Sequence, residues 1–262
     1  MKLKQAKEYL ENFISEKPNI AIILGSGLGK FIHKIDNKIE LDFSEIPGYI
    51  SPSIKGHEGK LIIGKYNDKS IICSQGRFHL YEGLGLNTIT FPIQLFHELK
   101  CKNLLITNSG GCLQKNWEIG GFMNISSLID FTFINSEKAL KTVFTQLLNK
   151  EKFIKYAKSE NINLYDGCYT WTQGPSYETP AEIKEIKSLG GNAVGMSTYP
   201  EILKAMELNM NVVGITCLTN YAAGISKQIL THTDVVSRAK KSNSRFCKLI
   251  DYVIKNININ EL

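Results

Sequence analysis

The chain moves between two hydrophobic periods. From Leu3 to Ile14 the apolar positions Leu3, Ala6, Leu10, Phe13 and Ile14 recur at helical spacing, which predicts an amphipathic helix closed by Pro18. Ile20 to Leu24 is then apolar at every position and ends in Gly25, the pattern of a strand buried on both faces. Similar runs at Leu61–Ile63, Ser70–Cys73, Leu104–Thr107, Asn192–Val194 and Val212–Leu218 predict further strands. Helical patterns at Leu86–Leu99, Ser136–Ala157, Pro180–Leu189, Pro200–Leu208 and Val235–Ile254 separate several of them. Strands alternating with helices predict an α/β fold, a single domain over residues 1–262 with a central mixed β-sheet flanked by helices. No linker, repeat or low-complexity stretch interrupts it.

In such folds ligands bind at the C-terminal ends of strands. Here those ends carry turns rich in Gly, Ser, Thr or Asn: GSGLG from Gly25, TNSGG from Thr107, GMST from Gly195 and TNYAAG from Thr219. Four turns of this kind converging on one sheet edge predict the active site there.

Between Gln75 and Gly83 the chain reads QGRFHLYEG. In an extended stretch residues two apart share a face, so Arg77, His79 and Tyr81 would line one surface. An Arg fork with a His beside it suits an anion such as phosphate, whereas the bland reading is an exposed polar edge strand. Gly25-Ser26-Gly27-Leu28-Gly29 follows a strand and opens a helix. Its glycines would let backbone N–H groups approach an anion, with the Ser26 hydroxyl as an added donor. The spacing is neither a P-loop nor the full dinucleotide fingerprint.

Thr179-Pro180-Ala181-Glu182 is a capping box with Pro at the first helical position. Just ahead of it, Tyr177 offers a face for a flat ligand and Glu178 a carboxylate. Asn220 either caps its own turn or, with Glu178, reads the edge of a heterocycle. His57 and His232 are lone histidines without a Ser or Cys nucleophile nearby, and a structural role is open for both.

Composition narrows the classes. The hydrophobic fraction is 43% with few prolines, which describes a globular chain. The net charge of +6 is scattered as isolated lysines without interleaved aromatics, so no nucleic-acid partner is expected. A mild positive excess favours small anionic substrates. The six cysteines form no C-x-x-C pair and no metal-ligand spacing, so no metal is expected and a reducing cytoplasm is. No apolar run reaches membrane-spanning length.

Taken together, ILGSGLG, EIPGY, GHEGKL, QGRFHLYEG, TNSGGCL, QGPSYETPAEI, GGNAVGMSTYPE and TNYAAGIS, with the late His232, resemble the purine nucleoside phosphorylases of the trimeric type. The motifs run in family order over nearly the whole chain. The resemblance implies that Ser26, Arg77, His79, the backbone N–H of Ser109 and the hydroxyl of Ser197 hold phosphate. Tyr81 and Met196 would contact ribose, and His232 its 5′-hydroxyl. Tyr177 and Val194 would pack on the base, Glu178 and Asn220 would read its polar edge, and His57 would belong to a loop over the site. His79, Glu178 and Asn220 are the residues it implies for catalysis. The implied reaction is phosphorolysis of inosine and guanosine in purine salvage, with inorganic phosphate as co-substrate, no cofactor, and a homotrimer as the assembly.

Two features depart from the family. Cys112 stands where a small residue is usual, and the stretch between Asp130 and Lys152 is short, lacking the loop that in the trimer helps build the neighbouring site. A more open site, a weaker trimer and an altered ribose preference are the expectations from this. Phe131 or Phe133 would take the place of the missing aromatic residue. The competing readings are a methylthioadenosine phosphorylase, which typically carries Asp where this chain has Asn220, and a binding protein without turnover.

Overall fold

The computed structural model describes residues 1–50, 58–134, 136–144, 148–226 and 232–257, with the backbone alone for 232–236. In chain order these form α1 (Lys2–Glu11), β1 (Ile20–Leu24), β2 (Asp36–Asp42), β3 (Lys60–Tyr66), β4 (Lys69–Gln75), α2 (Leu86–Ile89), α3 (Phe91–Glu98) and β5 (Asn103–Cys112). Then follow β6 (Phe122–Asp130), β7 (Leu140–Val143), α4 (Lys150–Ser159), β8 (Leu164–Trp171), α5 (Pro180–Ser188), β9 (Ala193–Gly195), α6 (Tyr199–Glu207), β10 (Asn211–Tyr221) and α7 (His232–Asn256). The α/β class and the mixed sheet are as expected.

All ten strands belong to one sheet, ordered β10-β6-β8-β9-β5-β1-β4-β3-β2, with β7 on β6. Because β10 also pairs with β5, the strands β5, β9, β8, β6 and β10 close on themselves, and β1 to β4 extend from the ring as an open wing. The pairs β1–β4, β1–β5, β5–β10, β6–β8 and β8–β9 are parallel; the others are antiparallel.

β1 shows why its run is wholly apolar. Ala21 and Ile23 pack into a core with α1, α3 and α6, through Leu10, Phe96 and Ile202, while Ile20, Ile22 and Leu24 enter a second core with α4 and α7, through Phe153, Phe246 and Val253. Alternate side chains of one strand feed cores on opposite faces, so neither set can be polar.

Several sequence expectations are corrected. The helix expected over Ser136–Ala157 is instead β7 followed by α4. The Leu-Lys-Thr-Val segment pairs antiparallel with β6, and the Asn149 side chain accepts from the Lys152 N–H to start α4. The single helix expected at Leu86–Leu99 is two, with Pro92 in the first turn of α3. Gln75 ends β4, so Arg77 to His79 lie beyond the strand and Leu80–Glu82 is a 3-10 turn. GSGLG opens a 3-10 helix, Gly29–Lys34. β2, β6 and β8 were not expected.

The most consequential correction concerns the presumed turns after Ile106 and Leu218. TNSGG lies within β5 and Thr219–Tyr221 within β10, the turn coming only after Tyr221: the two strands stay paired through Gly111 and Cys112, with the register shifting between Leu218 and Asn220. A bulge of this kind re-aims the side chains that follow it. On its other edge β5 pairs with β1 at Leu104–Ile106 and with β9 at Gly111–Cys112. Between those two partners the strand edge forks open.

Gly25 sits at the fork. Its N–H donates to Thr107 Oγ1 at 3.0 Å, and a Cβ there would stand 2.7 Å from the Asn108 Cα. The neighbour is backbone, so it cannot rotate away. Gly25→Ala is expected to destabilise the protein by about 1–3 kcal/mol, read as a lower midpoint in urea denaturation.

Candidate active site

A cavity open to solvent occupies the fork. It is lined by Ser26 from the turn after β1, by Arg77, His79 and Tyr81 from the segment after β4, and by Asn108 to Gly111 of β5. Tyr177 and Glu178 ahead of α5, Val194 to Ser197 from β9 onward, and Thr219 and Asn220 of β10 complete it. Eleven of the residues singled out from sequence (Ser26, Arg77, His79, Tyr81, Ser109, Tyr177, Glu178, Val194, Met196, Ser197 and Asn220) therefore meet in one place. His57 and the side chain of His232 lie outside the described residues.

One side of the cavity is cationic. Arg77 is 2% exposed; its Nη1 donates to the Thr107 carbonyl at 2.7 Å and to Ser197 Oγ at 3.2 Å. Its Nε lies 3.4 Å from Glu201 Oε1, and Glu201 is itself buried. Nη2 is buried with no hydrogen-bond partner among the described residues. A buried donor without a partner costs about 1–3 kcal/mol, and an anion in the cavity would remove that cost. Ser26 and Ser109 are tied together here, the Ser109 hydroxyl donating to the Ser26 carbonyl at 3.1 Å.

His79 is held from its own turn. Its N–H donates to Glu82 Oε1 at 2.7 Å, its Nδ1 is 3.4 Å from the same oxygen, and its ring stacks on Tyr81 with centroids 4.8 Å apart. Burial pushes the Tyr81 phenol well above its usual range, so it stays neutral and can donate.

Glu201 and Thr198 fix this side. Thr198 has φ +75°, unusual for a β-branched residue, and its N–H donates to Glu201 Oε2 at 2.8 Å. Asn108 Nδ2 donates to Thr198 Oγ1 at 2.9 Å. A single carboxylate thus caps α6 and faces the buried guanidinium. Sequence reasoning passed over both residues, although Thr198-Tyr199-Pro200-Glu201 has the capping-box spacing it found at Thr179.

The opposite side suits a flat, polar-edged molecule. Tyr177 is 45% exposed at its rim, and Val194 is buried in its wall. The Glu178 carboxyl accepts from Thr172 Oγ1. Burial raises its pKa above the ordinary 4.5, with the Thr172 hydrogen bond opposing that shift. The Asn220 amide is set by two contacts: Nδ2 donates to the Tyr221 carbonyl at 3.0 Å and Oδ1 accepts from Thr219 Oγ1 at 2.9 Å. One amide hydrogen and one lone pair remain for a ligand. Gly111 keeps this space open, since a Cβ there would lie 3.2 Å from Asn220 Nδ2 and 3.3 Å from Val194 Cγ1. The bulky Cys112 turns its thiol toward the Gln114 carbonyl and does not line the cavity.

Residues 19–255 match the family described as the Phosphorylase superfamily. This chain belongs to that superfamily. Purine nucleoside phosphorylase 1 of Bacillus subtilis is 35% identical over 264 residues, covering 97% of each chain. A schistosomal purine nucleoside phosphorylase solved with hypoxanthine superposes with a TM-score of 0.85 at 27% identity, covering 98% of this chain and 97% of that one. The Schistosoma mansoni enzyme solved with adenosine gives 0.84 at the same identity and coverage.

Breaking the buried pair tests the cationic side. Glu201→Ala leaves Arg77 buried without its counter-charge and is expected to cost about 3–5 kcal/mol in urea denaturation. Inorganic phosphate should also bind more weakly by calorimetry. Glu201→Gln, which keeps an acceptor for the Thr198 N–H, should lose less stability.

Proposed function

We propose that this phosphorylase cleaves the N-glycosidic bond of purine nucleosides with inorganic phosphate, taking inosine and guanosine in preference to adenosine and releasing base and ribose 1-phosphate. The observation that carries the reading is the buried Arg77 Nη2, unpartnered among the described residues, within one cavity that also holds Glu178 and Asn220.

The difficulty of the reaction is a poor leaving group and a ribosyl centre that becomes cation-like. Phosphate held by Ser26, Arg77, His79, Ser109 and Ser197 sits as an anion beneath that centre and is already positioned to attack. Tyr81, Met196 and His232 hold the ribose, and His57 belongs to the segment over the site. Negative charge grows in the purine as the bond breaks. The free Asn220 amide hydrogen donates to it at N7 or O6, most strongly in the transition state. The bond from the leaving nitrogen to the anomeric carbon breaks as a phosphate oxygen bonds to that carbon. No covalent enzyme intermediate or cofactor is required.

Ionised Glu178 only accepts hydrogen bonds. It therefore suits the N1–H of a 6-oxopurine and the amino group of guanine, while adenine presents a bare acceptor at N1. One structural relative was solved with adenosine; the discrimination expected here lies in turnover. We place the enzyme in the cytoplasm as a homotrimer. The exposed Phe133, Ile134, Leu140 and Val143 of the shortened segment are apolar residues that a neighbouring subunit would cover. Light scattering should read three times the chain mass, and a monomer would overturn that assignment.

Base release from inosine, guanosine, adenosine and methylthioadenosine, followed by chromatography with and without phosphate, tests the reading. Release from inosine and guanosine alone, lost without phosphate, is expected; efficient turnover of adenosine-type substrates would sink the Glu178 argument. Glu178→Gln should lower kcat/KM for inosine roughly 10- to 100-fold.

The pH dependence has a definite sign. The ionised carboxylate reads N1–H, so kcat/KM for inosine holds above the raised pKa and falls as pH drops through it, at a higher pH than an ordinary Glu would give. For the ligand-free fold the same shift acts in the other direction. Its stabilising contribution is full below the ordinary 4.5 and lost as pH rises through the raised value.

A further inference from the structure

Glu178 does not stand alone at the base side of the cavity. Thr172 follows β8 directly and is 7% exposed; its N–H donates to the Gly195 carbonyl of β9 at 2.9 Å. Its hydroxyl donates to Glu178 Oε1, and the other acceptor within reach is the Gly195 carbonyl at 3.4 Å. One hydroxyl proton thus chooses between a carboxylate oxygen and a backbone carbonyl. An ionised carboxylate is the stronger acceptor.

We propose that Thr172 is a positioning residue for base recognition: its hydroxyl clamps Oε1 of Glu178 and reserves Oε2 for the purine. This rests on Glu178 as the base reader. A rigid β-branched side chain, anchored by its own backbone to β9, gives the carboxylate a fixed plane. Without that anchor the carboxyl rests on a flexible stem at the cavity edge. Any rotation would spoil the approach to N1–H, because a donor aimed between the two oxygens satisfies neither well.

The same hydrogen bond opposes the burial that raises the Glu178 pKa. The other charged group acting on Glu178 is Glu182, in the first turn of α5, which pushes in the same direction as burial. Tyr177 lies on its own segment, and Arg77, His79 and Tyr81 are the titratable groups lining the cavity with it. The Thr172 hydroxyl is therefore the side-chain donor that opposes the upward shift in the ligand-free site, beside the backbone N–H of Glu178 itself.

The test compares Thr172→Val, Thr172→Ser and Glu178→Gln by pH profiles of kcat/KM for inosine, with KM for phosphate measured in parallel. Thr172→Val keeps the branched shape and removes the donor. It is expected to lose about tenfold in kcat/KM at neutral pH, mainly through KM for inosine, and to move the acid limb up by about one pH unit. Thr172→Ser should restore both, and KM for phosphate should stay put. A defect of packing alone would move phosphate and inosine together and leave the acid limb in place, and that pattern overturns the proposal. If the Val variant does not fold, Thr172→Ala read against Thr172→Ser gives the same comparison. Glu178→Gln separates the two levels. If it retains the acid limb and the inosine preference, the base reading itself fails and takes the role of Thr172 with it. If it abolishes them while Thr172→Val leaves the limb unmoved, only the role of Thr172 is lost.

Discussion

The site depends on one constraint: β5 must satisfy two different partners along a single edge. Its first residues pair with β1 and its last with β9, while β10 holds the opposite edge throughout. A strand edge that leaves one neighbour before meeting the next exposes backbone in between, and buried backbone polar groups demand partners. Arg77 supplies one by donating to the Thr107 carbonyl, and Thr107 Oγ1 returns another by accepting from Gly25. What remains unfilled is the cavity. The chemistry is thus placed by sheet geometry, and the charged groups stabilise an opening that the pairing itself creates.

Electrostatics then divides that opening. Arg77 and Glu201 form a buried pair whose guanidinium keeps spare hydrogen-bonding capacity, while Glu178 is a carboxyl with the Thr172 hydroxyl as its partner and no salt bridge among the described residues. A buried ion pair is poor evidence for stability, since desolvation offsets much of the attraction. Its value here is orientation: Glu201 is fixed as the cap of α6, so the guanidinium is fixed with it. Glu178 works in the opposite sense. Its burial disfavours the charged state until a donor arrives, which makes ligands carrying an N–H preferable to those presenting a lone pair.

The sequence made the chemistry more legible than the architecture. Arg77, His79 and Tyr81 were identified through an assumed strand; the chain is irregular there, but its alternation still delivers all three to the cavity. β1 was legible to the residue because both its faces are apolar. β6 and β8 were not, because the closed part of the sheet buries polar side chains. Asn124 donates to Asp166 across that pair, and Asn192 Oδ1 accepts from the Cys168 N–H. Such residues erase the hydrophobic period while finding partners on neighbouring strands. β2 has a mostly exposed pattern and carries no periodic signal. Thr172, Thr219 and Glu201 were passed over because each acts on another side chain, a relation that distance in sequence conceals.

The parallel pairing of β5 with β10 joins residues about a hundred positions apart, and the cavity draws on segments from Ser26 to Asn220. Contacts so distant in sequence form late, since the intervening chain must be ordered first. During synthesis the wing of β1 to β4 can assemble while Thr219 and Asn220 have yet to leave the ribosome. The cavity is consequently complete only once β10 is in place.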